Sequence, residues 1–174
     1  MIVRPETDSD RPRILDVVEA AFGKPAERVL VERLYASPQY RPGLSLVAET
    51  PDDGIVGHVL VTTAWLVDGD WRQDIASLAP LAVAPSHQGT GVGTALVHAV
   101  CAVLDDRGEP FVVLQGHPDY YPRMGFEVSA PLGITFDLPE WAPPEAAMVR
   151  RLSSYDPSIT GRVEYPAAFD DLPE

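Results

Sequence analysis

The chain has 174 residues, of which 45% are apolar, and 26 acidic against 13 basic residues give a formal net charge of −13. This length suits one domain with a full hydrophobic core, and the negative charge would repel nucleic-acid phosphates and anionic membranes. We therefore expect neither nucleic acid nor a membrane as the main partner. No apolar run approaches transmembrane length and the first residues lack a signal-peptide core, which predicts a cytoplasmic protein.

The N-terminal part predicts one short strand followed by two helices. Residues 2–4 have strand character, and a capping residue among residues 7–9 can begin a helix that ends at Gly23. A second helix is predicted over about residues 25–36. The proline-containing stretch at residues 37–43 predicts a loop.

Three apolar, β-branched segments follow and are separated by turn residues, which predicts an antiparallel meander. These segments are residues 44–49, 55–67 and 71–83. Pro80 lies inside the third segment. Because proline has no backbone N–H, it marks an edge, a bulge or a place where neighbouring strands separate.

Residues 78–96 join a strand, a glycine-rich turn and a helix. Gly89, Gly91 and Gly93 occupy alternate positions, and the apolar residues that follow predict a helix over about residues 90–106. The first N–H groups of a helix lack internal partners, and glycines allow a phosphate to approach them closely. The layout predicts an anion-binding site; a glycine turn that binds nothing is the alternative.

The helix is followed by a strand of the buried type at residues 111–115. A strand, a helix and a strand in succession predict a parallel crossover, so the sheet is expected to be mixed. Cys101, the single cysteine, excludes an internal disulfide. Its place among apolar residues in mid-helix predicts a buried and unreactive thiol.

Two nucleotide-binding motifs do not fit the glycine turn. A Walker A loop needs a lysine after its last glycine, and residues 78–96 contain none. A dinucleotide fingerprint needs a glycine at its sixth position, which is Thr94 when counted from Gly89 and Leu96 when counted from Gly91. The turn QGTGVG, Gln88 to Gly93, instead resembles the Gln/Arg-x-x-Gly-x-Gly/Ala motif of the GCN5-related N-acetyltransferase (GNAT) family.

This resemblance implies the fold and the cosubstrate. The implied fold is α/β: a mixed, mostly antiparallel sheet with a splayed parallel pair at its core and about four flanking helices. In the family the glycine loop holds the pyrophosphate of coenzyme A, and the pantetheine arm enters the splay, a position that Pro80 fits. The residues implied to bind acetyl-CoA are Leu81, Ala82, Val83, Gln88, Gly89, Thr90, Gly91, Val92, Gly93, Thr94 and Tyr121.

A second segment, GHPDYYPRMGF at residues 116–126, resembles the family's aromatic-Tyr-x-x-x-Gly-Phe element. By position, Tyr121 matches the tyrosine that often serves as general acid; a packing aromatic is the alternative. A short helix is expected from Pro118, and Pro122 is an unusual residue there because it can end or kink a helix.

The implied reaction needs few groups. The leaving thiolate, with a free pKa near the ~8.5 of cysteine, needs a proton that a phenol of pKa ~10 can supply. Backbone N–H groups of residues 81–83 are candidates to stabilise an oxyanion. The base that deprotonates the amine is left open among His117, Asp74 and Ser77.

The sequence does not assign a single role to the remaining histidines or to the tryptophans. His87 precedes the glycine loop and is either a phosphate contact or a solvent-facing turn residue, while His58 and His98 have no evident partners. No cluster has metal-ligand spacing, so we expect no metal. A pocket-lining role and core packing are both open for the tryptophans, which are Trp65, Trp71 and Trp141.

The C-terminal third predicts further short strands and a turn-rich tail. Strand character appears at residues 128–133, 134–138 and 147–152. We take residues 1–152 as the acetyltransferase domain and residues 153–174 as an extension that packs on the domain or on a neighbouring subunit. The tail resembles that of a bacterial subgroup of predicted acetyltransferases.

Together these resemblances predict an enzyme that transfers acetyl from acetyl-CoA to a primary amine, of a small molecule or a peptide, in a ternary complex. The rival is an acyl-CoA-binding sensor that has lost catalysis. A toxin that acetylates charged tRNA would need a basic face, which the charge of −13 argues against. The family resemblance alone makes a homodimer plausible and does not identify the acceptor.

Overall fold

The computed structural model describes the whole chain, Met1 to Glu174. Its nine strands are β1 (Ile2–Pro5), β2 (Tyr40–Thr50), β3 (Gly54–Asp68), β4 (Trp71–Val83), β5 (Phe111–Gln115), β6 (Glu127–Val128), β7 (Ile134–Phe136), β8 (Ala147–Arg151) and β9 (Gly161–Glu164). They form one mixed sheet in the order β1-β2-β3-β4-β5-β8-β6, and β9 pairs with both β3 and β7.

Three α-helices flank the sheet: α1 (Arg11–Phe22), α2 (Ala26–Tyr35) and α3 (Val92–Asp106). The expected fourth helix is only a 3-10 turn, Tyr121–Met124, and it does not begin at Pro118. This turn stops after four residues because Gly125 follows in the left-handed conformation, with φ of 85°. None of the helices is long and apolar enough to cross a membrane.

The predicted antiparallel meander is present as β2, β3 and β4. The loop predicted over residues 37–43 is wrong in its second half, because β2 already begins at Tyr40, which pairs with Thr62. The register of β2 shifts between Tyr40 and Ser45. That irregularity accommodates the proline and glycine that had suggested a loop.

The strands predicted in the C-terminal third are shorter in the structure. β6 ends at Val128 and is followed by a 3-10 turn, Ala130–Leu132, while β7 ends at Phe136. The sequence pattern does not predict the ends of these strands, because short edge strands form only where a neighbouring strand pairs with them. β6, for example, consists of two residues that pair with β8.

The centre of the sheet splits between β4 and β5. These parallel strands pair only at Ala76 with Val112 and at Ser77 with Val113, and they separate beyond that point. On its other side, β4 has a register shift against β3 between Leu78 and Leu81, a stretch that contains Pro80. Pro80 therefore marks both a bulge and the level at which the strands part.

The two faces of the sheet carry separate hydrophobic clusters. α3 covers one face, where Leu96, Val100 and Leu104 are buried against the strands. A side chain at Gly57 would collide with Val92 and Leu96, so this glycine allows α3 to lie close to β3. Cys101 is buried in the same cluster, and burial raises the pKa of its thiol to about 11. α1 and α2 cover the opposite face.

The C-terminal tail returns to the sheet of its own chain. β9, where no strand was predicted, runs antiparallel to β3 and pairs Val163 with Leu66. Beyond it, a 3-10 turn at Ala167–Phe169 reaches α2, where Arg33 donates a hydrogen bond to the carbonyl of Asp170 at 2.5 Å. Phe169 packs against the cluster under α1 and α2.

Candidate active site

A cavity of about 1010 Å³ opens where β4 and β5 separate. Its walls come from the end of β4, the glycine loop before α3, the segment after β5, the α1–α2 region and the tail. The 23 lining residues are Ala21, Phe22, Glu27, Leu30, Leu78, Ala79, Pro80, Leu81, Val83, His87, Gln88, Gly89, Gly91, Gly93, Thr94, Gln115, Gly116, His117, Tyr120, Tyr121, Arg123, Tyr165 and Phe169.

The glycine loop places the N-terminus of α3 in this cavity. Gly91 precedes the first residue of α3 with φ of 92°, and no side chain caps the helix there. A Cβ at Gly89 or Gly91 would meet no atom within 4 Å, so the space above these glycines is open. Free N–H groups, the positive end of the helix dipole and this open space fit a phosphate group.

Two side-chain hydrogen bonds hold the loop in shape. The amide nitrogen of Gln88 donates to the carbonyl of Val83 at 3.1 Å, which ties the loop to the end of β4. The hydroxyl of Thr90 donates to the carbonyl of His87 at 2.5 Å. Neither bond uses an N–H group of α3, so the donors that an anion needs stay available.

Two tyrosine rings lie against glycines that leave room for them. The hydroxyl of Tyr120 occupies the space that a Cβ at Gly93 would need, and the ring of Tyr121 lies in the same way against Gly116. Gly93, the third glycine of the loop, therefore leaves room for the hydroxyl of Tyr120 as well as for a phosphate. Any side chain at Gly93 would displace this tyrosine.

Tyr121 has the surroundings expected of a proton donor. Its ring lies edge-on to Tyr120, with centroids 5.0 Å apart, and to Phe126, with centroids 5.6 Å apart. Burial, and secondarily the charge of Tyr120, raises the pKa of Tyr121 to about 12. The phenol therefore holds its proton at neutral pH. Pro122 lies in the first turn of the 3-10 turn, where it breaks no hydrogen bond.

Most of the residues predicted to contact acetyl-CoA line the cavity, but three do not. Ala82 points to the opposite face of β4 and packs under α1 and α2. Val92 turns inward onto the sheet, and the hydroxyl of Thr90 is used within the loop. The predicted residues on the wall are Leu81, Val83, Gln88, Gly89, Gly91, Gly93, Thr94, Tyr121 and His117.

The three candidates for the base occupy different surroundings. His117 is exposed and lines the cavity. Asp74 is exposed on β4 opposite Trp65, away from the cavity wall. Ser77 is 1% exposed, and its hydroxyl has no hydrogen-bond partner. Of the three candidates, His117 alone lines the cavity.

The other histidines have structural partners. Nε2 of His87 lies 3.2 Å from a carboxylate oxygen of Asp53, and its Nδ1 lies 2.9 Å from the hydroxyl of Ser86. His98 faces Arg150 at 3.3 Å. His58 is fully buried and lies 2.8 Å from the hydroxyl of Ser45.

The three tryptophans neither line the cavity nor belong to the buried core. Trp71 and Trp141 are 43% and 85% exposed, and the guanidinium of Arg72 lies 3.8 Å from the ring centroid of Trp65. None of the three lines the cavity.

Several wall residues had no signal in the sequence. Glu27 lies on α2 and Tyr165 and Phe169 lie in the tail, far along the chain from the glycine loop. The hydroxyl of Tyr165 lies near Ser77 and Gln115, but burial dominates and raises its pKa. Arg123 also lines the cavity. It lies in the segment of residues 116–126, for which only Tyr121 and His117 were predicted to act.

The fold and this cavity define an acetyltransferase. Residues 2–129 match the acetyltransferase (GNAT) domain. A relative from Escherichia coli K12, the uncharacterized N-acetyltransferase YhbS, is 31% identical over 172 residues, 98% of this chain and 99% of YhbS. Another from the same strain, YjhQ, is 41% identical over 123 residues, 70% of this chain and 67% of YjhQ. The chain therefore belongs to the GNAT family of acetyl-CoA-dependent N-acetyltransferases.

Solved structures have the same fold over nearly the whole chain. The crystal structure of YhbS from Escherichia coli in complex with CoA matches with a TM-score of 0.85 and 30% identity, over 97% of this chain and 91% of that one. A GNAT acetyltransferase from Brucella melitensis in complex with acetyl-CoA matches with a TM-score of 0.77 and 28% identity, over 97% of each chain.

Proposed function

We propose that this enzyme transfers the acetyl group of acetyl-CoA directly to a primary amine while both substrates are bound. One observation carries the proposal: the uncapped N-terminus of α3 and Tyr121 line the same cavity, at the level where β4 and β5 part. The first can hold a phosphate, and the second can supply a proton. The YhbS and Brucella structures with CoA and acetyl-CoA support this choice of cosubstrate.

The residues of this chain divide the work as follows. Residues 88–94 and the N–H groups of α3 would hold the pyrophosphate of the cosubstrate. The backbone of β4 beyond Ser77 has no strand partner on the β5 side, so its polar groups can bind the pantetheine arm. When bound, acetyl-CoA supplies a thioester, whose acetyl group passes to the amine.

Tyr121 would give its proton to the departing sulfur. A phenol with a pKa of about 12 is fully protonated near neutral pH, as a general acid must be. His117, on the same wall, would receive the proton of the amine, directly or through water. Asp74 is not among the residues that line the cavity.

Thermal unfolding in the presence of acetyl-CoA, CoA, NAD and ATP tests the cosubstrate. A ligand at ~100 times its Kd adds about 2.7 kcal/mol to the free energy of unfolding, which raises Tm measurably. We expect a rise with acetyl-CoA and CoA and none with NAD. Thiol release in the presence of an amine panel then tests transfer, and binding of acetyl-CoA without any thiol release would favour a sensor.

A further inference from the structure

The cavity joins the two faces of the sheet and therefore has two chemically different ends. Leu81, Tyr120 and Tyr121 pack with the cluster on the α3 face, whereas Leu30 and Phe169 pack with the cluster on the α1–α2 face. All five residues line the one cavity. The gap between β4 and β5 is thus a passage between the glycine loop and a second compartment.

This second compartment is mostly apolar. α1 and α2 supply Ala21, Phe22 and Leu30, and the tail supplies Tyr165 and Phe169. Phe22 is 39% exposed and lines this part of the cavity. Arg33 holds the tail in place by donating hydrogen bonds to the carbonyls of Asp170 at 2.5 Å and of Ala168 at 3.5 Å.

One carboxylate interrupts this apolar surface. Glu27 is the only acidic residue among the 23 that line the cavity. Its Oε2 atom is buried and has no hydrogen-bond partner, although the side chain as a whole is 21% exposed and lies in the first turn of α2, where the helix dipole favours a carboxylate. Because the negative charge is shared between both oxygens, a cationic donor that reaches the other oxygen from the cavity would still compensate the charge.

The neighbouring Lys24 is a weak partner for this carboxylate. Its Nζ lies 3.9 Å from Oε1 of Glu27, beyond hydrogen-bond distance, and its side chain is 54% exposed. Because the lysine end of the pair is exposed, water and salt screen its attraction to the carboxylate. Glu27 therefore retains most of its capacity to bind a cation.

We propose that Glu27 binds the ammonium group of the acceptor, and that the acceptor is a cationic primary amine with an apolar body. The proposal rests on the amine transfer proposed above. The apolar body would lie against Phe22, Leu30 and Phe169. Arg123, the one arginine or lysine that lines the cavity, lies over the ring of Tyr120 on the α3 face, so this surface has no lining cation to hold a carboxylate. An amine without a carboxylate is therefore preferred over the corresponding amino acid.

The test uses the full chain saturated with CoA and two matched probes, 2-phenylethylamine and L-phenylalanine, which differ by one carboxylate. Calorimetry measures binding of each probe, and thiol release measures transfer with acetyl-CoA. We expect 2-phenylethylamine to bind at least ~10-fold more tightly than L-phenylalanine. Glu27→Gln should weaken its binding ~10- to 100-fold, the usual effect of losing a charged hydrogen bond, without changing acetyl-CoA affinity.

Two control variants separate this role from a structural one. Glu32→Gln removes a carboxylate of the same helix that faces Arg28 at 3.6 Å and lies off the cavity wall, and Lys24→Gln removes the lysine beside Glu27. Both should bind 2-phenylethylamine as the wild type does. An effect of Lys24→Gln equal to that of Glu27→Gln would overturn the proposal, because the ion pair alone would then explain it.

The outcomes also separate this proposal from the proposed function. No binding of 2-phenylethylamine to the wild type, or equal binding to Glu27→Gln, would overturn the assignment of Glu27 even if other amines were acetylated. Binding that depends on Glu27, without thiol release from any amine, would support the ammonium site and overturn the transfer reaction.

Discussion

Tyrosine hydroxyls lie on both faces of the sheet, and their surroundings differ in one decisive respect. On the α1–α2 face, Tyr35 and Tyr40 donate to the carboxylate of Glu6 at 2.6 and 3.0 Å. On the α3 face, Tyr121 has no hydrogen-bond partner within the chain and lines the cavity. Burial raises the pKa of Tyr35 and of Tyr121 alike. A raised pKa thus does not separate Tyr35 from Tyr121, whereas their surroundings do: the hydroxyl of Tyr35 is held by a carboxylate, and that of Tyr121 is free at the cavity.

The network around Glu6 is closed to ligands. The side chain of Glu6 is only 4% exposed, and the hydroxyl of Ser45 also donates to it at 2.5 Å. Arg11 covers the ring of Tyr35, with its guanidinium carbon 4.4 Å from the centroid. A charge so surrounded by donors connects β1, α2 and β2, and we infer a structural role for it. The following experiments change one region at a time.

The largest effect is expected at the glycine loop. Gly91→Glu should reduce acetyl-CoA affinity more than about 10³-fold, because a carboxylate would occupy the phosphate site at the positive end of α3. Gly91→Ala isolates the backbone strain at φ of 92°, and Gly108→Glu places the same charge on a glycine with φ of 76° that does not line the cavity. Calorimetry measures all three, and unchanged affinity in Gly91→Glu would remove the loop from the site.

The second largest effect is expected when the free hydroxyl of Tyr121 is removed. Tyr121→Phe should lower kcat ~10²-fold with little change in acetyl-CoA affinity, the size expected when a general acid is lost. Because the pKa of Tyr121 is about 12, its ionisation should cause no fall in kcat between pH 7 and about 10. Steady-state kinetics across this range measures both, and a wild-type kcat would exclude Tyr121 from the reaction.

Tyr35→Phe provides the control from the other face. It removes a hydroxyl that donates to Glu6 and should lower the free energy of unfolding by about 1–3 kcal/mol, as for a buried hydrogen bond to a charge. Its kcat should stay within about twofold of the wild type. If Tyr35→Phe reduced kcat as strongly as Tyr121→Phe, the distinction between the two faces would not hold.

The smallest effect is a pH dependence of stability from His58. The carboxylate of Glu6, 3.8 Å away, favours the protonated ring, but burial dominates and lowers the pKa of His58 from 6.5 to about 3. Between these values the unfolded chain binds a proton that the folded chain does not. The contribution of His58 to stability is therefore complete above pH 6.5 and falls as the pH decreases, by at most about 1.4 kcal/mol per pH unit.

Urea unfolding at pH 7, 6 and 5 measures this effect. The stability difference between wild type and His58→Gln should shrink as the pH falls, since the variant lacks the titrating ring. His98→Gln, at an exposed histidine, should follow the wild type at every pH. A constant difference for His58→Gln would show that the ring does not titrate differently on folding.

Patterns in the sequence were enough to predict the parts of the fold that depend on local interactions. The apolar, β-branched segments and the turns at residues 50–54 and 68–70 predicted the meander, and Gly23 ended α1 in the left-handed conformation as expected. The glycine spacing of residues 89–93 was enough to predict the turn and the start of α3 within two residues. These signals survive because each depends on residues that are close in the chain.

Only the tertiary structure decided which distant residues share the cavity. Glu27 reads in the sequence as an ordinary acidic residue near a helix start, and Tyr165 and Phe169 read as part of a turn-rich tail. They come together because β9 pairs with β3 and Arg33 binds the tail to α2. The closed network of Glu6, Tyr35, Tyr40 and His58 arises in the same way. Contacts between elements far apart in the chain depend on strand order and packing, for which no short stretch of residues carries a pattern.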